Sequence, residues 1–127
     1  MKFEKVVFAF FIVLALTLNF GFFLGDMDNP DHHHASELAA ALAVSLIATI
    51  LKFGDKSPLG AVLLATSLVA DLQLLAAVGI WGYAANATGA GVTATVLSSI
   101  VSLSGGALLA NLVSVALLVG ETLSIRR

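Results

Sequence analysis

The sequence predicts an all-α membrane protein, a bundle of four transmembrane helices. Three observations lead there. Of the 127 residues, 59% are hydrophobic and 11% charged, whereas a soluble domain carries about 25% charged residues. The charges fall mostly in short clusters between four long apolar runs, as in a multi-pass membrane protein. Crossing four times also gathers every Lys and Arg on one side.

The first span is expected at about residues 6–25, interrupted only by Thr17, Asn19 and Gly21. Lys2 and Lys5 precede it, as in a secretory signal. The run is longer than a signal core and no Ala-x-Ala-like site follows, so it reads as a retained span. The second is expected at 35–53. Asn29-Pro30-Asp31 before it offers a capping side chain and a first-turn proline. "KFGDKSP" ends it. The third is expected at 59–83, with Asp71 and Gln73 near its middle. The fourth, at about 92–120, is long for one perpendicular helix. It must tilt, protrude or break, and Gly105-Gly106 is where it would break. The whole chain, 1–127, reads as one transmembrane domain with an acidic, histidine-bearing outer loop at 26–34.

Four spans put both termini and the 52–58 loop together, with Lys2, Lys5, Lys52, Lys56, Arg126 and Arg127. The opposite side holds Asp26, Asp28, Asp31 and Glu37 and no basic residue. The positive-inside rule then places both termini in the cytoplasm. Trp81 and Tyr83 fall at the expected outer boundary, where interface aromatics belong.

Helices in lipid associate through close packing and polar contacts. Ser98, Ser102, Gly106, Ala110 and Ser114 recur every four residues along the fourth span, as a small-residue packing stripe. A serine-lined pore is the alternative use of the same face. The second span has Ala39 and Ala43, and beside them Ala41, Ser45 and Thr49. Two stripes in so small a chain point to a homo-oligomer.

Asp71 is the costliest residue, at about 2.5–3.5 kcal/mol for an aspartate at a helix centre on insertion scales. No basic residue lies at its depth in any span. It is left with protonation, hydrogen bonds to polar neighbours, or a bound cation. Asn19 and Asn111 are candidate partners, flanking it along a polar track with Gln73 and Ser102. A role in an ion path expects Asp71 hydrated and facing an oligomer axis. A structural role expects it dry and bonded between helices.

The loop "GDMDNPDHHHASE" concentrates acid and histidine. Asp26, Asp28, Asp31 and Glu37 could gather cations before a pore. Asp31 and Glu37 also complement the positive end of the second helix. An EF-hand match fails, because Pro30 and Asp31 stand where a ligand and a turning glycine are needed. His33, His34 and Glu37 could share a helix face and bind a transition metal, the one cofactor the sequence offers. The three histidines could also confer pH sensitivity.

Having no cysteine excludes disulfides, zinc–thiolate sites and cysteine nucleophiles. No basic patch suggests nucleic acid. No Ser/His/Asp set, phosphate loop, HExxH or dinucleotide fingerprint is present, so no enzyme is expected. "TGAGV" at 88–92 lacks the spacing and preceding pore helix of a potassium filter.

"LALTLNFGFFLGDMDNPDHH", "IATILKFGD" and "AVLLATSLVADLQLLAA" together resemble a family of small four-span bacterial inner-membrane proteins of unknown function. The resemblance implies that membrane and four spans; it assigns no activity and no functional residues. The residues themselves suggest a cation channel or ion-transport component. One alternative is a non-transporting accessory subunit of a larger membrane transport protein. The other is an extracytoplasmic metal or pH sensor.

Overall fold

The computed structural model describes residues 3–25, 33–87 and 89–126, with residues 125 and 126 described as backbone only. It contains four helices: α1 (Phe3–Phe23), α2 (Ala35–Lys52), α3 (Pro58–Ala87) and α4 (Ala94–Arg126). All four are long and apolar enough to cross a membrane. At about 1.5 Å per residue the 21-residue α1 spans roughly 32 Å, close to the hydrocarbon thickness. The 30 residues of α3 and 33 of α4 exceed it, and such helices tilt or protrude.

The most extensive packing is α1 on α2, α2 on α3, α3 on α4 and α4 on α1. The helices thus form a closed ring around one interior. Large apolar side chains cover the outside: Phe10, Leu72, Leu75 and Leu109 are each at least 59% exposed. Inside are small and polar residues together with two apolar clusters. This inversion of the soluble pattern follows from lipid, which solvates leucine as well as a protein core does.

Local chemistry sets the helix ends. Ser57-Pro58 starts α3: the Gly60 N–H donates to Ser57 Oγ at 3.0 Å, and proline takes the position whose N–H would be orphaned anyway. Asp55 braces the cap, accepting from the Ser57 N–H (3.0 Å) and hydroxyl (2.7 Å). Gly54 turns the chain with φ +89°, which favours glycine. At α4 the Val96 N–H donates to Thr93 Oγ1 (3.3 Å). The N-cap of α2 is His34, in extended conformation and with no side-chain cap bond. The expected capping run Asn29–Asp31 lies outside the described residues.

The fourth span does not break. α4 runs unbroken through Gly105 and Gly106, which serve close approach instead. A β-carbon on Gly105 would come within 2.8 Å of the Phe23 ring, and one on Gly106 within 2.6 Å of the Gln73 amide. A break there would also free backbone groups that lipid cannot satisfy.

The four-residue stripe is not one interior face. Each four-residue step turns about 40° further around a 3.6-residue helix. Ser102 is therefore exposed and Ser98 and Gly106 half-buried, while Ala110 and Ser114 are buried. The interior row of α4 runs Leu97, Ile100, Ser104, Ala107, Asn111 and Ser114, in alternating steps of three and four.

Gly106→Val should lower the thermal midpoint in detergent, by an overpacking cost of about 1–3 kcal/mol. Gly120→Val, with nothing within 4 Å of its β-carbon, should leave the midpoint unchanged. The Ser57 hydroxyl, then its N–H, hold the Asp55 carboxyl below its ordinary value of 3.8. Its stabilisation is thus complete above that value and lost as pH falls through the lowered one. Acid titration of the midpoint should show a component below about pH 4 that Asp55→Asn removes.

Candidate functional site

The interior row of α3 is Leu63, Ser67, Ala70, Asp71, Leu74 and Ala77, again in helical steps. Asp71 is on it, 8% exposed, inside its own bundle. Two hydroxyls of α2, four residues apart on one face, meet its carboxylate. Ser45 Oγ donates to Oδ1 at 2.6 Å, and Thr49 Oγ1 donates to Oδ2. Thr49 Oγ1 also lies 2.9 Å from the Ser45 carbonyl oxygen, an acceptor in its own helix. Its one proton can serve either, so the latch on Oδ2 can be released without leaving the hydroxyl unpaired.

Sequence reasoning proposed Asn19 and Asn111 as partners and placed Ser45 and Thr49 only near a packing stripe. The signal for them was available: a Ser-x-x-x-Thr pair on an antiparallel neighbour, at the depth of Asp71. Asn19 and Asn111 are nevertheless in the same interior, both 0% exposed. Their side-chain oxygen and nitrogen atoms, with Ser67 Oγ, Ser104 Oγ and Gln73 Oε1, make no hydrogen bond among the described residues.

Inter-helix contacts set the levels. The Thr66 and Ser114 hydroxyls bond at 2.5 Å, and Gln73 packs on Gly106. This antiparallel register puts Asn111 between the levels of Ser67 and Asp71, and Ser104 about one turn nearer the acidic-loop end. Phe23 packs on Gly105, so Asn19, one turn back along α1, comes level with the α4 turn ending near Asn111. Asn19, Ser45, Thr49, Ser67, Asp71 and Asn111 therefore form a polar core at one depth. Each buried group left unpaired costs about 1–3 kcal/mol. Ser102 is exposed on the outside of α4, apart from this core, and Gln73 is half-buried against Gly106.

Apolar residues close the core on both sides. Towards the termini lie Phe8, Ile12 and Leu63. Towards the acidic loop the larger cluster includes Phe22, Leu38, Leu74, Leu97 and Ile100.

Asp26, Asp28 and Asp31 of the expected vestibule lie outside the described residues. Glu37 is half-buried, its Oε2 2.6 Å from where a β-carbon on Gly21 would be, so the glycine lets the first turn of α2 settle on α1. His33 is buried; its Nδ1 bonds the Phe22 carbonyl oxygen, and its ring lies 5.3 Å from that of Phe22. His34 is exposed. The expected His33–His34–Glu37 metal set is not assembled, and among the described residues no group of three or more His, Cys, Asp or Glu converges. Trp81 turns inward, its ring 6.2 Å from that of Phe22, while Tyr83 is 68% exposed.

Neither the curated proteins nor the solved structures provide a match to this chain. A family model does: the family of unknown function DUF6394 matches residues 32–122, which take in α2, α3 and most of α4, and the chain belongs to that family.

Proposed function

We propose that this protein is an ion-transport component of the bacterial inner membrane, with both termini in the cytoplasm and the polar core as its ion site. The observation behind this reading is a buried carboxylate that has no cationic partner among the described residues, level with buried amides and a hydroxyl that make no hydrogen bond among them. Lipid can satisfy none of these groups. Water, a proton or a cation in the core would satisfy them together. The site is inside one bundle, so a second copy is not needed to complete it. The outward Ser102 and half-buried Ser98 suit a homo-oligomeric contact instead. The acidic loop would gather cations on the far side.

One observation favours the accessory-subunit reading. Both oxygens of Asp71 are held by α2 hydroxyls, as a latch between helices would require. Its unexplained remainder is Asn19 and Asn111, which such a latch does not use.

Purified protein in liposomes, tested with potassium, sodium, calcium and protons, should pass at least one ion. Asp71→Asn, still folded, should lower that flux about ten-fold or more, as expected if an ionisable group on the ion path is lost. Absence of flux from well-inserted wild type under every ion and voltage would favour the accessory role. Orientation has its own check. A C-terminal green fluorescent protein fusion should fluoresce and a C-terminal alkaline phosphatase fusion should stay inactive; the reverse would overturn it.

A further inference from the structure

A cavity of about 910 Å³ opens at the end of the bundle that carries the termini. The first turns of α1, the 53–57 turn and the last part of α4 surround it, and Phe8 and Leu63 form its deep wall. Those two residues are each 1% exposed and pack with Ile12 and Ala48. Ser67 is the next interior residue of α3 beyond Leu63, about 6 Å further along the axis, and Asp71 is about 12 Å beyond Leu63. Among the described residues, Phe8, Ile12 and Leu63 form the buried barrier on this side, while Ala48 of the same cluster lies between Ser45 and Thr49 at the level of Asp71.

We propose that this cavity is the aqueous entrance to the polar core, and that Phe8, Ile12 and Leu63 are the plug that closes it. The inference rests on the ion-site reading of the core and adds the side of access. Lys52, only 8% exposed, holds its ammonium 4.4 Å from the Phe8 ring centroid and 3.4 Å from the Asp55 carboxylate, at the cavity's inner part. The Asp55 carboxylate offsets that ammonium, so the inner part of the cavity carries no net positive charge. The other cavity charges balance: Lys5 pairs with Glu121 at 2.9 Å, and Glu4 and Lys56 have opposite sign.

The native chain has no cysteine, so a single one can report on access. Ser67→Cys, in the full chain, would be treated with a small membrane-impermeant thiosulfonate from the termini side in inverted vesicles and from the opposite side in intact spheroplasts. Labelling should come only from the termini side. Phe8→Ala in the same background should speed it roughly ten-fold, as for an opening eased by one decade in population. Ile100→Ala, in the opposite cluster, should not. Equal labelling from both sides, faster labelling from the far side, or no response to Phe8→Ala or to Leu63→Ala would overturn the entrance. Ion flux through the liposomes should rise with Phe8→Ala, and an unchanged flux would overturn the plug. Loss of flux on Asp71→Asn tests the ion site itself, so the two ideas can fail separately.

Discussion

Lipid offers no hydrogen bonds, and most of this structure can be derived from that constraint. Backbone groups must pair within each segment, which makes the spans helical and keeps α4 intact through two glycines. Side-chain groups must pair across segments. The Asp71 carboxylate therefore draws Ser45 and Thr49 to it and fixes α2 against α3. The hydrophobic effect, which would sort residues in water, has little to say about which apolar face turns inward. Polarity and size decide instead, and the interior is made of alanine, serine, asparagine and one aspartate between two apolar clusters.

That sorting explains what could be read in advance. Four spans are visible because each is a long apolar run, and their limits needed only small revisions: α3 extends past Tyr83 to Ala87 and α4 to Arg126. The burial of Asp71 was legible from its cost alone. Its partners carry a weaker signal, a Ser-x-x-x-Thr pair at its depth on an antiparallel neighbour, which is easily passed over because serine and threonine are common in membrane helices for packing. The four-residue stripe misled for a geometric reason, since a straight helix carries such a row round to another face within a few turns. The double glycine suggested flexibility. In the fold it is a pair of recesses, filled by Phe23 and Gln73.

The histidine loop illustrates a different limit. Three adjacent histidines with nearby carboxylates look like a ligand set when read along the chain. In three dimensions His33 is drawn down onto the end of α1 and His34 remains outside as the helix cap. Adjacent residues at a helix start diverge by roughly 100° per residue once the helix begins, so proximity in sequence is a poor guide to convergence there. The core shows the converse: Asn19 and Asn111 are distant in sequence, yet the packing of Phe23 on Gly105 brings them to one depth.

The ion pair between Lys5 and Glu121 fastens the start of α1 to the last part of α4. A four-helix unit that enters and leaves on the same side has an evolutionary consequence. If the gene were duplicated in tandem, a short linker would suffice, and the second half would enter the membrane in the same direction as the first. The product would be a parallel repeat, related by an axis along the membrane normal, rather than the inverted repeat from which many rocking transporters are built. Any enlargement of this architecture by duplication should therefore multiply enclosed bundles side by side, each with its own interior, instead of creating a shared site between two oppositely facing halves.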